Sequence, residues 1–384
     1  MSTGENKDSV TKPKFCVLGA GNGGLAMAGH LAIMGFPVNL YNRSKKRLLS
    51  VLIQKGIKVS GEIEGFGRVG LITTDVKEAI KDAKVLMVVT PATAHRLIAE
   101  ICTPYLQNGQ VIVLNPGRTF GAIEFKQVLK EKECQADVIV AEAETLLYTS
   151  RANILGEVKI FAIKKEVPVA SINSHLIPKV IEVLKEAFPQ FIPGDDVFKT
   201  SLNNIGSIFH PAITILNAGW IENTSSFSLL GLQLPRLKVP RFRFYVDGCS
   251  PGVSLVLEKI DEERVAVAAA LGLRAMSAKD WFYFSYGGKK DSLYEMIHTN
   301  SAYQKITAPN SLNNRYITED IPFSLVPIAS VGEMLGVPTP IISSLINIAC
   351  AMHNCDYWKD GRNVEKLGIK GMGVKELRRF AIGE

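Results

Sequence analysis

Apolar and polar positions fall into two textures along the 384 residues. Up to about residue 195, short and nearly continuous apolar runs alternate with stretches of helical spacing. The runs are Phe15–Leu18, Pro37–Tyr41, Lys84–Thr90, Val111–Asn115, Val138–Glu142 and Val158–Ile163. Each has the length of a strand covered on both faces. Between them, apolar residues at three- and four-residue intervals predict helices over 25–34, 45–55, 76–82, 93–106 and 123–132. Segments 57–61 and 67–73 read as a short hairpin. This alternation predicts an α/β fold with a doubly wound, mostly parallel sheet. From about Thr200 the strand texture nearly vanishes, and helical patterns occupy 203–221, 253–271, 321–335 and 341–354. Two prolines and a glycine interrupt the pattern between Phe188 and Asp196, which marks a boundary. The expected organisation is a disordered tail over 1–13, an α/β domain over 14–195 and an all-helical domain over 196–384, with a cleft between the domains.

The first of these patterns carries the clearest chemistry. Gly19-Ala-Gly-Asn-Gly-Gly24 follows the apolar run 15–18 and opens the small-residue helix from Leu25. A strand, a glycine turn and a helix in that order form the phosphate cradle of a Rossmann domain. Gly19 makes the tight turn, Gly21 admits the pyrophosphate, and Gly24 lets helix and strand approach. The helix N-terminus, including Asn22 and Gly23, offers N–H groups to the anion. Strand ends beside the cradle, Thr90-Pro91 and Asn115, are expected over the cofactor as well, with Glu144 near the substrate. Asn115-Pro-Gly reads equally well as a plain turn. At the end of the second strand, where a carboxylate would bind the ribose hydroxyl of NAD, stand Asn42, Arg43 and Ser44. An amide, a guanidinium and a hydroxyl suit a ribose phosphate, so NADP is favoured, with NAD as the alternative.

Composition removes other classes. A net charge of +7 with cations spread along the chain gives no basic stripe for nucleic acid. No apolar stretch approaches the length of a membrane span, and the N-terminus lacks the apolar region of a signal peptide. Six scattered cysteines without a close pair, and histidines without ligand spacing, suggest a cytoplasmic protein with free thiols and no metal site.

Further segments give the chain a family likeness: Val17–Gly24, Leu114-Asn-Pro-Gly-Arg-Thr-Phe-Gly121, Asn203-Asn-Ile-Gly-Ser-Ile-Phe-His-Pro-Ala212, Phe244-Tyr-Val-Asp-Gly248, Asp261-Glu-Glu-Arg-Val265 and Asn314-Arg-Tyr-Ile-Thr-Glu-Asp-Ile-Pro322. With these the chain resembles the NAD/NADP octopine/nopaline dehydrogenase family, the opine dehydrogenases. The resemblance implies reduction of the imine formed between an amino acid and a 2-oxo acid. It also implies a catalytic His–Asp pair, His210 and Asp320, and an arginine that grips a substrate carboxylate, Arg315. Asn203 and Asn204 are candidates for the nicotinamide amide or the substrate.

An imidazole suits proton traffic in both directions, because its ordinary pKa of about 6.5 lies near working pH. Each residue also has a plainer reading. His210 lies in an apolar stretch where a core histidine would sit, Asp320 stands where a helix cap would, and Arg315 reads as a surface cation. Pro211 should force a kink or a helix start at His210. The run Arg236–Arg243 is a mobile cationic loop. The apolar face over 340–349 either pairs two subunits as a homodimer or packs internally. Two rival functions share this plan. One is a dehydrogenase of the glycerol-3-phosphate, ketopantoate or hydroxyacid type, and the other is a non-catalytic NADP-binding regulator.

Overall fold

The apolar runs of the first half become neighbouring strands of one sheet. In chain order the elements are β1 (Phe15–Leu18), α1 (Asn22–Ile33), β2 (Val38–Tyr41), α2 (Lys45–Gln54), β3 (Gly56–Gly61), β4 (Gly65–Arg68), β5 (Leu71–Thr73) and α3 (Val76–Ile80). There follow β6 (Val85–Val88), α4 (His95–Cys102), β7 (Val111–Leu114), α5 (Gly121–Glu131), β8 (Ile139–Ala143), β9 (Tyr148–Ala152), β10 (Val158–Ile163), β11 (Val167–Ser171), α6 (Ile177–Leu184) and β12 (Phe191–Pro193). The computed structural model describes residues 12–153, 156–223, 228–229, 232–233, 241–287 and 292–384. The expected N-terminal tail up to residue 11, and residues 236–240 of the cationic run, lie outside the described residues.

The main sheet has eight strands in the order β12-β11-β8-β7-β6-β1-β2-β5. Every neighbouring pair is parallel except β8 and β11. The order reverses between β1 and β6, the switch point of a Rossmann sheet. β1, β2, β6 and β7 are buried at every position; β1, β6 and β7 are apolar throughout, and the one polar residue of β2, Asn39, donates to the Ala79 carbonyl at 2.7 Å. α1 is buried from Gly23 to Leu31 and shows no polar stripe, the property of a helix covered on all sides.

The expected hairpin over 57–61 and 67–73 forms only in part. β3 pairs antiparallel with β4, but β5 leaves to join β2 in parallel at the edge of the main sheet. The chain turns at Gly70, whose N–H donates to Val38 C=O at 2.9 Å, and that bond delivers Leu71 and Ile72 to β2. β3 and β4 extend instead into a second sheet, β4-β3-β10-β9. Residues 12–90, 94–116 and 128–193 cluster as one unit.

The second unit gathers 91–93, 117–127 and 194–384. Its helices are α7 (Val197–Leu202), α8 (Gly206–Leu216), α9 (Ala218–Asn223), α10 (Pro251–Ala270), α11 (Ala278–Tyr286), α12 (Leu293–Thr299), α13 (Arg315–Thr318), α14 (Val326–Met334), α15 (Pro340–His353), α16 (Tyr357–Asp360) and α17 (Val374–Ile382). Starts follow local chemistry. Asp196 accepts from the Phe198 and Lys199 N–H groups ahead of α7, and Ser250 caps α10 with Pro251 as its first residue. The pattern over 203–221 breaks into α8 and α9 at Asn217, whose amide donates to Ile213 and Gly248 carbonyls. The pattern over 321–335 begins as a π-helical turn, Ile321–Leu325, before α14. α15 turns Ile342, Leu345, Ile346 and Ala349 inward. The fully buried Arg362 bonds Glu124 through Nε and Nη2 (3.0 and 2.8 Å) and the Thr119 carbonyl through Nη1 (2.7 Å), which ties 117–124 to the C-terminal helices. No described helix is long and apolar enough to cross a membrane.

Candidate active site

In the first unit the glycine turn has the geometry of an anion cradle. Gly19 takes φ +123°, and a β-carbon there would stand 2.4 Å from the Val89 carbonyl oxygen. At Gly24 a β-carbon would overlap the Gly19 oxygen at 1.8 Å, so both positions require glycine for the backbone to close on itself. At Gly21 a β-carbon would meet nothing within 4 Å, and this open side faces the start of α1. Gly21 is the N-cap of α1 without a side-chain cap, and the first turn carries no acidic residue. A helix end of this kind presents free N–H groups and a positive dipole to an anion.

Two buried polar atoms at the ends of the adjoining strands, Thr90 Oγ1 and Asn115 Oδ1, have no hydrogen-bond partner among the described residues. Such orphans are costly unless a ligand satisfies them. The residues present therefore fit a dinucleotide: open space at the turn, uncapped N–H groups, and unpaired polar atoms beside them.

Some residues selected from the sequence bond within the protein. Asn22 Oδ1 accepts from Ala152 N–H at 2.9 Å, anchoring β9 to the start of α1. Asn42 Oδ1 accepts from Ala20 N–H (3.0 Å) while its Nδ2 donates to the Ser44 carbonyl (3.1 Å), which holds the glycine turn against the end of β2. Arg43 and Ser44 are exposed, and the Ser44 side chain caps nothing although it stands at the N-cap of α2. Glu144 lies half-buried just beyond β8.

The second unit brings the histidine segment and the Arg-Tyr-Ile-Thr-Glu-Asp segment together. His210 sits inside α8, one turn from its start, and Pro211 does not break the helix as its sequence position suggested. Ile208, Phe209, Ala212 and Ile213 are all buried, and their packing offsets the missing N–H of Pro211. His210 Nδ1 lies 2.8 Å from Asp320 Oδ2. Asp320 stands at the N-cap of the π turn yet makes no capping bond, so its carboxylate is committed to the imidazole and not to the backbone. The Tyr316 ring stacks on the imidazole at 4.3 Å and 18°. The other ring nitrogen, Nε2, is 3.1 Å from the Tyr245 hydroxyl.

Around this pair lies a small ionic cluster. Arg118 Nη1 is 3.3 Å from Asp320 Oδ1, and its Nε is 3.5 Å from Glu319 Oε1. Neither contact forms a hydrogen bond, and Asp320 Oδ1 and Arg118 Nε have none among the described residues. Arg118 itself takes φ +59°, a conformation a non-glycine residue holds only when its surroundings enforce it. Arg315, two-thirds exposed, places Nε and Nη2 each 2.6 Å from Glu319 Oε2. Burial would raise the Glu319 carboxyl, but Arg118, Arg315 and the Ala92 N–H outweigh it and hold the group at about 2. Burial works against the Arg118 charge too, and the Asp320 and Glu319 carboxylates reverse that and raise its pKa. Burial pushes the Tyr245 hydroxyl well above the usual phenol range.

The two asparagines brace the same unit. Asn203 Oδ1 accepts from Met276 N–H at 3.1 Å, while Asn204 donates to Ser324 Oγ at 3.0 Å. Sequence reasoning passed over Glu319, Tyr245 and Tyr316, although each lies in a segment already singled out, and it set Arg118 with Asn115 over the cofactor without foreseeing its carboxylate partners. The Asp261–Val265 segment is structural. Buried Arg264 pairs with Asp261 at 2.6 Å, and Glu263 accepts from the first free N–H groups of α15, Ile341 and Ile342.

With this geometry in hand, known proteins supply the frame. The family model for the NAD/NADP octopine/nopaline dehydrogenase alpha-helical domain matches residues 193–353, and that for the NAD-dependent glycerol-3-phosphate dehydrogenase N-terminus matches 14–128. An opine dehydrogenase from Arthrobacter sp. (strain 1C) is 34% identical over 370 residues, spanning 96% of this chain and 99% of that protein. The chain belongs to the opine dehydrogenase family. It is accordingly an NAD(P)-dependent oxidoreductase acting on CH–NH groups. Opine dehydrogenase structures share its fold. An octopine dehydrogenase with NADH and L-arginine superposes with a TM-score of 0.76 at 22% identity, covering 97% of this chain and 98% of that one. A yersinopine dehydrogenase with NADP+ gives 0.72 at 14% identity, covering 96% and 99%.

Proposed function

We propose that this opine dehydrogenase condenses an amino acid with a 2-oxo acid and reduces the imine with NADPH, using His210 as acid–base, Asp320 as its orienting carboxylate and Arg315 as the carboxylate clamp. The observation that carries the reading is the 2.8 Å bond between His210 Nδ1 and the Asp320 carboxylate, which makes no helix-capping bond. Nicotinamide, when bound, supplies the hydride that reduces the imine carbon. The protein's own residues handle the protons. With Nδ1–H donated to Asp320, a neutral His210 has its lone pair on Nε2 and takes a proton from the substrate ammonium, freeing the amine to attack; as the carbinolamine forms, an amine proton passes to the former carbonyl oxygen. The imidazolium so formed is stabilised by Asp320 and returns the proton to the departing hydroxyl of the carbinolamine, which leaves as water. Arg118 lies beside both carboxylates, 3.3 Å from Asp320 and 3.5 Å from Glu319, and helps hold Glu319 below the usual carboxylate range. Arg315 is oriented by Glu319 through Nε and Nη2, and its exposed remainder suits a substrate carboxylate. The 2-oxo acid and amino acid seen with structural neighbours, pyruvate and L-arginine, are the first candidates.

The NADP preference rests on the end of β2. Asn42 replaces a repelling carboxylate, Arg43 and Ser44 stay exposed, and the first turn of α2 carries Lys45, Lys46 and Arg47 without an acid. Cations at a helix N-terminus oppose its dipole, and a bound phosphate offsets that cost. Cysteines that remain free thiols suit a cytoplasmic enzyme. The test is cofactor oxidation, with NADPH and NADH in turn, across panels of 2-oxo acids and amino acids. Oxidation of NADPH only when both acids are present supports the reading. Oxidation with an oxo acid alone points to a hydroxyacid-type reductase, and none at all to a binding protein.

A further inference from the structure

We propose that the Tyr245 hydroxyl relays the proton of His210 to and from the substrate; the inference rests on the acid–base role given to His210 above. Nδ1 of the imidazole is committed to Asp320, so every proton must pass through Nε2, and Nε2 is already bonded to Tyr245 at 3.1 Å. The ring is held in this orientation by Tyr316, which stacks flat against it, and by Asp320 at Nδ1. Tyr245 is held as firmly. Its ring stacks on Tyr303 at 4.1 Å and 14°, meets Phe244 and Phe209 edge-on, and is 6% exposed. The groups facing His210 are therefore Asp320, Tyr245 and Tyr316, with the Arg118 guanidinium across Gly206. A β-carbon at Gly206 would stand 3.3 Å from Arg118 Nη1 and 3.4 Å from His210 Cε1.

A phenol suits the task because it bonds to either protonation state. It donates O–H to a neutral Nε2 and accepts from a charged Nε2–H by rotating one proton. Burial keeps it from ionising, so it passes a proton only as it receives one. In the synthetic direction the imidazolium Nε2–H bond breaks and its proton forms a bond to Tyr245 Oη. The proton already on Oη leaves for the carbinolamine oxygen, which departs as water. The imidazole is left neutral and the phenol unchanged. Proton abstraction from the substrate ammonium runs the same path backward. Nothing is oxidised or reduced in the relay.

Tyr245→Phe removes the hydroxyl and keeps the stacked ring. With NADPH, pyruvate and the fastest amino acid of the panel, the relay predicts a single-turnover rate at least about tenfold lower. NADPH affinity and thermal midpoint should stay at wild-type values. Solvent-deuterium proton inventories should change from curved, with more than one proton in flight, to linear. Tyr303→Phe controls for packing and should retain the wild-type rate. A Tyr245→Phe rate within twofold of wild type overturns the relay, as does an equal loss in Tyr303→Phe. If His210→Ala is inactive while Tyr245→Phe is normal, only the relay falls; if His210→Ala still turns over, the acid–base reading falls with it.

Discussion

At the scale of single residues, the site depends on side chains whose charges are decided by their neighbours. Arg315 is oriented by Glu319 within the second unit. Arg315→Ala should raise KM for the 2-oxo acid on the order of ten- to a hundredfold, with NADPH affinity preserved. Collapse of cofactor binding with an unchanged KM would contradict the clamp. Arg43→Ala should weaken NADPH by about tenfold and leave NADH nearly unaffected, because only one cofactor carries the ribose phosphate; equal losses for both would remove Arg43 from phosphate reading. His210, Asp320 and Arg315 could be proposed from the sequence because they stand in segments with a family likeness. Their partners could not. Tyr245 lies 35 residues from His210, and Arg118 lies on a strand-to-helix turn far from Glu319 and Asp320. Contacts of that kind have no periodicity to read. Asn22 and Asn42, chosen for the cofactor, show the complementary difficulty: an amide next to a phosphate loop looks the same in sequence whether it faces the ligand or ties down the loop.

Among the elements, the glycine turn and α1 offer a test in which packing and ligand binding separate. Gly24→Ala places a methyl carbon on the Gly19 carbonyl oxygen and should destabilise the fold by about 1–3 kcal/mol. Gly21→Ala meets no protein atom, so its unfolding midpoint should match wild type while dinucleotide affinity falls. If both variants lose only stability, the open side of the turn is not where the cofactor binds. Strands made of unbroken apolar residues were readable because burial on both faces leaves no other composition. β9 and β11 were not: Tyr148–Ala152 alternates with polar residues, and Pro168 interrupts Val167–Ser171. β5 was assigned to the wrong partner because three apolar-rich residues fit a hairpin or a parallel edge equally well. The π turn at Ile321–Leu325 was read as ordinary helix, since its apolar spacing differs from α-helical spacing too little to detect in so short a run.

For the whole molecule, stability responds to buried ionisable groups that lie outside the candidate site. Burial lowers the His30 imidazole to about 4, next to the Tyr148 hydroxyl 2.9 Å away. Unfolded chains bind that proton near 6.5 and the folded chain does not, so stability should fall as pH drops from about 6.5 to about 4. His30→Gln should flatten that decline in the thermal midpoint; an unchanged slope would place the acid sensitivity elsewhere. Arg362→Ala leaves Glu124 buried without its cation and should cost about 3–5 kcal/mol in urea unfolding, whereas a change within experimental scatter would mean the pair carries no stability. Neither group was visible as structural in the sequence, because a buried histidine and a buried arginine look like site residues until their partners are known. The central claim is that the imidazole held by Asp320 moves the protons of imine formation. The most direct measurement is the kcat of His210→Ala beside its Kd for NADPH. A fall in kcat on the order of 10²–10⁴-fold with unchanged NADPH affinity is the predicted result, and wild-type turnover by that variant would contradict it.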